Sequence, residues 1–274
     1  MKILSNPHTH STFVDGKNTI EEMANQAFEL GFVSLGFSEH AQQVIDGAFG
    51  LTAETENAYI AEVNRLKSVY DGRMKIWRGL ERDRLSPADK TKYEYILGAN
   101  HYLTAENGEW AAVDGDADRL ENWVKTHADG DWMKAAAQYF EASAAYIEAI
   151  QPDIIAHFDL LCKGNRKRHW YDESAKAYLD AGKAAMERMI KVCNVLEVNT
   201  GGIARSNQPC PYPILPLLSF WHMIGGEVIP SSDCHRAHQL NAWFDETPEY
   251  LKSAGFDHML RLGTGKELFE EVKL

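Results

Sequence analysis

Residues 2–40, KILSNPHTHSTFVDGKNTIEEMANQAFELGFVSLGFSEH, hold one complete unit of an architecture that recurs down the chain. A short apolar run at 2–4 leads into a polar cluster, Pro7-His8-Thr9-His10. Residues 19–30 then place Ile20, Met23, Ala24, Ala27 and Leu30 on one stripe of a helix, with Asn18 or Thr19 as N-cap and Gly31 as C-cap. A second apolar run, 33–37, follows and ends in Ser38-Glu39-His40. Strand, helix and strand in that order call for a crossover connection and parallel pairing.

Further apolar runs lie at 74–80, 95–99, 154–158, 195–198 and 227–229. Helical spacing fills the intervals at 55–70, 138–150, 174–193, 214–224, 248–254 and 266–272. Seven such units predict an α/β chain folded as a closed or nearly closed seven-stranded βα barrel. No repeat and no Pro/Gly/Ser-rich linker divides it, so residues 1–274 read as a single domain. Barrels of this type assemble their active sites at the C-terminal ends of the strands. One segment breaks the rhythm: 104–137 is long and polar and carries Trp110, Trp123 and Trp132, which reads as a helix-containing lid beside the site.

Composition narrows the function classes. The 274 residues carry 28 Lys+Arg against 40 Asp+Glu, a net charge of -12, which argues against non-specific nucleic-acid or anionic-membrane binding. The most apolar stretch, 214–224, is interrupted by Pro216 and His222 and is too short to span a bilayer. Met1 to Asn6 has no signal-peptide character, and Cys162, Cys193, Cys210 and Cys234 form no CxxC pair, so a cytoplasmic setting is expected. Cys234, between Asp233 and His235, reads as a small buried filler.

The distribution of the 11 His is informative. His8 and His10 follow the first run, two residues apart, so both point to one side of an extended chain, and Asp15 follows them. The second run ends in His40, the third in Glu81 or Asp83, the fourth in His101, the fifth in His157, and the seventh in Asp233 and His235. Six His therefore share one structural position, whereas His127, His169, His222, His238 and His258 read as ordinary surface or core residues. Imidazole nitrogens and carboxylate oxygens together suit Zn, Mn or Fe. Nine such groups exceed one tetrahedral ion and imply two or three divalent transition metal ions.

The order HTH…D…SEH…GLE…NHYL…AHFDL…DCH resembles the polymerase and histidinol phosphatase (PHP) family over nearly the whole chain. That resemblance implies a distorted seven-stranded (βα)7 TIM-like barrel with a trinuclear metal centre. Carried onto this chain, it implies that His8, His10, Glu81 and Asp233 hold a first ion. Glu81, His101 and His157 would hold a second, and Asp15, His40 and His235 a third. LEVNTGGIARSNQPCPYP (196–213) resembles the histidinol-phosphatase branch, where an Arg, here Arg205, meets the substrate phosphate; AAVDGDADRLENW (111–123) resembles its lid. The implied activity is hydrolysis of a small phosphomonoester, L-histidinol phosphate, by attack of a metal-bridging hydroxide, with Glu81, Asp233 and Arg205 at the reacting centre. Lys163 and Arg166 follow Arg205 as phosphate donors. Asp114, Asp116, Trp110 and Trp123 are the lid side chains suited to an ammonium or an imidazole. The competing readings are a PHP phosphoesterase acting on nucleotides or DNA ends and a metal-binding module without catalysis.

Overall fold

The computed structural model describes residues 2–45 and 49–274. The opening unit folds as β1 (Ser5–Asn6), α1 (Ile20–Glu29) and β2 (Ser34–Phe37). Thr19 caps α1: its hydroxyl accepts the Glu22 N–H, while the Glu22 carboxylate accepts the Thr19 N–H at 2.8 Å. Gly31 follows the helix with φ of 81°, a conformation open to glycine at no steric cost. Ile20, Met23, Ala24 and Ala27 are the residues α1 buries, as the stripe predicted.

The chain continues through α2 (Ala53–Val69), β3 (Lys75–Asp83) and β4 (Tyr95–Ala99) into a hairpin of β5 (Tyr102–Thr104) and β6 (Trp110–Ala112). Then come α3 (Ala117–His127), α4 (Trp132–Ile150), β7 (Ile154–Ile155), α5 (Cys162–Arg168), α6 (Lys176–Met189), β8 (Val195–Asn199), α7 (Gly201–Ser206), α8 (Leu215–Met223) and β9 (Glu227–Ser231). The last elements are α9 (Thr247–Ala254) and the antiparallel pair β10 (His258–Leu262) and β11 (Phe269–Lys273).

Seven strands form one parallel sheet in the order β1-β2-β3-β4-β7-β8-β9. The sheet is nearly closed. Its first and last strands meet just beyond their C-terminal ends, where Thr9 and Cys234 form a parallel bridge. The backbone bonds His10 N–H to Cys234 O (2.8 Å) and Cys234 N–H to His8 O (3.0 Å) fasten that seam.

Inside the sheet, Trp77, Tyr95, Leu97, Ala99, Ile154, Ala156, Val195, Ile229 and Leu262 pack as an apolar cluster distinct from the larger core beneath the helices. Tyr95 fills its centre because Gly36 and Gly79 lack side chains: a Cβ at either would lie 2.1–2.2 Å from the tyrosine's terminal atoms. The Tyr95 hydroxyl donates to Pro7 O at 2.5 Å, just before the His8–His10 doublet.

Two sequence expectations need correction. Residues 266–272, read as a helix, contain most of β11 instead. Leu268 and Phe269 pack against the inner cluster, and Phe269 is registered opposite Leu262. Burial against the strands overrides the helix-like spacing of this short segment. The helix expected over 138–150 begins earlier, because Trp132 already opens α4; residues 104–137 thus hold most of the β5–β6 hairpin, α3 and the start of α4. Among the described residues no helix is long and apolar enough to cross a membrane.

Candidate metal centre and active-site cleft

The Thr9–Cys234 bridge sets two doublets side by side. Thr9 turns outward to donate its hydroxyl to Gly36 O, which leaves His8 and His10 facing inward. Asp233 and His235 flank Cys234 in the neighbouring segment. Asp233 has φ of 46°, a left-handed conformation that Asp tolerates better than most residues. It brings Oδ1 to 3.2 Å from His10 Nε2 and 3.7 Å from His8 Nε2.

Glu81 stands at the centre. It lies on β3, bridged to His40 on the adjoining segment, and is almost fully buried. Its Oε2 is 2.6 Å from His40 Nδ1, 3.3 Å from His8 Nε2 and 3.5 Å from His10 Nε2. Its Oε1 is 2.8 Å from His157 Nε2 and 3.5 Å from His101 Nε2. Asp15 completes the array, 3.1 Å from His235 Nε2 and 3.8 Å from His40 Nε2. All nine residues singled out from the sequence thus converge. Among the described residues, four overlapping sets have donor atoms close enough to share an ion: His10, Asp15, His40 and His235; His8, His10 and Asp233; His8, Glu81 and His157; and His40, Glu81 and His101.

The chemistry of this set fits divalent ions. His8 Nε2, His10 Nε2, Glu81 Oε2 and Asp15 Oδ1 are buried without a hydrogen-bond partner. Buried polar atoms left so are costly, and metal coordination is one way to satisfy them. Ligand atoms at roughly 2.1 Å from an ion stand about 3–4 Å from one another, and most of the separations here fall in that range, with His40 and His157 closer to Glu81 at 2.6 and 2.8 Å.

Charge in the cluster is strongly mutual. Burial alone would raise the Glu81 carboxyl, but His40, His8 and His101 around it hold it well below the usual range. Burial also opposes ionisation of Asp233, and Arg205 and His8 overcome it to the same effect. Burial and the neighbouring His40 and His235 push His10 down to about 3. Burial works against a charged His101 too, yet Glu81 and Asp83 lift it to about 9.

Further carboxylates stand behind the ligands, and of these the strand-end pattern had singled out only Asp83, as an alternative to Glu81. Glu197, fully buried on β8, accepts from His8 Nδ1 (2.6 Å), the His157 N–H (2.7 Å) and the Ser231 hydroxyl (2.5 Å). Asp83, the alternative to Glu81 in sequence, instead accepts from the His101 N–H at 2.9 Å and lies 3.0 Å from its Nδ1. Glu39 accepts from Ser11 N–H at 2.7 Å and lies 3.9 Å from His10 Nδ1; burial pushes its carboxyl up to about 8. Carboxylates behind metal-binding imidazoles fix ring orientation and tautomer. An acid inside the apolar run VLEVN was the available signal for Glu197.

A cleft of about 640 Å³ opens over the cluster. Arg205, on α7 directly after β8, reaches it with Nη2 2.7 Å from Asp233 Oδ2 and Nη1 3.2 Å from His235 Nδ1. Lys163 lines the same cleft, its Nζ 3.1 Å from Asp114 Oδ2. Arg166 does not reach it. It lies on α5 (Cys162–Arg168), which turns it toward Glu173 (3.2 Å), Gln208 (3.4 Å) and Cys210 O (3.1 Å), in an adjoining cleft. Lys17 and Arg236 are cleft cations that the sequence reading overlooked. Of the four lid side chains considered, Asp114 alone lines the cleft. Asp116 caps α3, Trp110 lies under Arg119 at 3.8 Å, and Trp123 is buried and donates to Glu109 O.

The sequence model of the PHP domain matches residues 6–200. A Schizosaccharomyces pombe protein named "Probable histidinol-phosphatase" is 24% identical over 97% of this chain and 91% of its own length. The Bacillus subtilis DNA polymerase/3'-5' exonuclease PolX is 33% identical over only 28% of this chain and 13% of its own. Among solved structures, a provisionally named histidinol phosphatase from Listeria monocytogenes superposes with a TM-score of 0.77 at 19% identity, covering 88% of this chain and 99% of that one. Histidinol phosphate phosphatase from Lactococcus lactis, solved with Zn, L-histidinol and phosphate, superposes with a TM-score of 0.61 at 16% identity, covering 95% and 97%.

Proposed function

This chain belongs to the PHP domain family, and from that premise we propose that it is a metal-dependent phosphomonoesterase that hydrolyses L-histidinol phosphate to L-histidinol and phosphate. The observation that carries the reading is the convergence of nine His, Asp and Glu side chains beneath a cleft that Arg205 and Lys163 also line. The likeness along nearly the full length to the S. pombe protein supports the substrate.

We assign His8, His10, Glu81 and Asp233 to one ion, Glu81, His101 and His157 to a second, and Asp15, His40 and His235 to a third, with Zn, Mn and Fe as the candidate metals. Divalent ions, when bound, acidify water and offset phosphoryl charge. The protein's own groups do the rest. Glu197 and Asp83 hold the His8 and His101 rings in place through their Nδ1 atoms. Arg205 offers a planar fork to two phosphoryl oxygens, a geometry that Lys lacks. Lys163, which lines the same cleft, adds a point charge. The β5–β6 hairpin and α3 form the lid over a single catalytic domain. The four free cysteines accord with a cytoplasmic setting.

The test compares kcat/KM for L-histidinol phosphate, nucleoside monophosphates and p-nitrophenyl phosphate on metal-reconstituted protein. The expected preference for histidinol phosphate is about 100-fold or more. Near-equal values would overturn the substrate and leave a general phosphatase; a preference for nucleotides would favour the competing PHP reading.

A further inference from the structure

Two of the cations lining the metal-centre cleft stand on different elements, Lys163 on α5 and Arg205 on α7. The helix α7 is six residues long and runs straight into residues 207–214, so the placing of Arg205 depends on how that segment is held. Near its far end, Tyr212 and Asn199 of β8 exchange backbone bonds of 2.8 and 3.0 Å, and the Ile214 N–H donates to buried Asp159 at 3.0 Å. Its middle is held by Arg166.

Arg166 follows Lys163 by three residues on α5. Its side chain is 8% exposed, and a guanidinium so far buried needs partners. Nε meets Glu173 at 3.2 Å. Its other contacts run to the segment after α7. Nη1 donates to Cys210 O at 3.1 Å and to Gln208 Oε1 at 3.4 Å, and Nη2 to Cys210 Sγ at 3.2 Å. The Tyr212 ring centre lies 5.4 Å from the guanidinium carbon.

Gln208 carries the restraint onward. Its N–H donates to Gly202 O inside α7 at 3.2 Å, and its Nε2 donates to Lys163 O at 3.4 Å. Hydrogen bonds thus join α5 to Gln208 twice, through the Arg166 guanidinium and the Lys163 carbonyl, and join Gln208 to α7. There is no slack at the last contact: a Cβ on Gly202 would stand 2.8 Å from the Tyr212 hydroxyl and 2.9 Å from Gln208 Cγ.

Resting on the phosphomonoesterase reading, we propose that Arg166 is a positioning residue for phosphate recognition: it braces residues 208–212 against α5 and thereby sets Arg205 relative to Lys163. A fork that must meet two phosphoryl oxygens is sensitive to its placing, and a displacement of about 1 Å can cost up to about 100-fold. Arg166 itself does not touch phosphate. Its effect passes through Arg205.

The experiment is a double-mutant cycle of Arg166→Met and Arg205→Ala on metal-loaded protein. It reads kcat and KM for L-histidinol phosphate and p-nitrophenyl phosphate, and the Kd of inorganic phosphate by calorimetry. Arg166→Met is expected to raise KM and the phosphate Kd about 10-fold, with kcat within about threefold of wild type and metal content unchanged. In the Arg205→Ala background the same substitution should change both constants by less than about twofold, because the group it positions is gone. An equal effect in the two backgrounds would overturn the proposal. So would a joint fall of kcat, metal content and Tm at unchanged KM, the signature of a merely structural role. Should Arg166→Met not fold, Arg166→Lys, which keeps the charge without the fork, takes its place with an expected rise of about threefold or more. A phosphate Kd raised by Arg205→Ala but not by the change at Arg166 would overturn the bracing and leave the phosphatase reading intact. The expected pattern in phosphate binding, without turnover of either ester, would uphold the bracing and remove that reading.

Discussion

The two ends of the seven-stranded sheet are built from opposite chemistry. Within the sheet, Trp77, Tyr95, Leu97, Ile154, Val195 and Ile229 meet Leu262, with Leu260, Leu268 and Phe269 of the β10–β11 pair packed alongside. Polar groups there are few and paired: Trp77 donates to Gly263 O at 2.8 Å and Tyr95 to Pro7 O. At the C-terminal ends, the same strands deliver Glu81, Glu197 and the segments bearing six His, and several buried donor atoms lack partners. The first arrangement stabilises the fold by removing apolar surface from water. The second holds charged and unpaired groups that the first must carry, so stability and function divide along the strand axis.

Changes at the two ends should therefore separate cleanly. The largest effect is expected at Glu81, which touches five imidazoles. Glu81→Gln should lower kcat/KM about 10³-fold or more, roughly 4 kcal/mol of transition-state stabilisation, and reduce metal content in the same preparation. Full turnover in that variant would break the division. Arg205→Ala comes next: KM for phosphoesters should rise about 30-fold with metal content little changed, since the loss is of a charge-assisted fork. An unchanged KM would place the phosphate elsewhere. Glu197→Gln should weaken metal affinity about 10- to 100-fold, the usual cost of removing a carboxylate behind a ligand imidazole. At the apolar end, Leu262→Ala should cost about 2–4 kcal/mol in denaturant unfolding while leaving kcat/KM near wild type. A large activity loss there would mean that the two ends are coupled.

A smaller effect appears with pH in the chelated protein. His101, raised from 6.5 to about 9, binds its proton more tightly folded than unfolded. Its contribution is full below about 6.5 and is lost as pH rises through 9. Glu39, a carboxyl raised from 4.5 to about 8, acts in the same direction between those values, since the folded state again holds the extra proton. The Tm of metal-free protein should fall by a few degrees from pH 6.5 to 9. Metal affinity should rise over the same interval, because ions must displace those protons. A metal-free Tm that rises with pH would contradict the charge pattern described here.

The same division explains what was legible in the sequence. Strand ends were readable because apolar runs and the polar residues after them are local signals. The two-residue period correctly put His8 with His10 and Asp233 with His235. The pairing of those doublets through Thr9 and Cys234, 225 positions apart by subtraction of their residue numbers, has no local trace. Glu197 was hidden for the same reason, since its partners lie on other segments, and Asp83 was legible at its strand end whereas its place behind His101 was not. The spacing of 266–272 suited a helix, but burial beside Leu262 selected a strand. Arg166 was misplaced by a feature outside periodicity: the short α5 turned it away from the cleft.

The most direct test of the central claim, that these nine side chains form a centre for divalent ions, is elemental analysis of protein purified after metal-supplemented expression. The account predicts two to three equivalents of transition metal per chain. Protein that is folded yet carries none would contradict it.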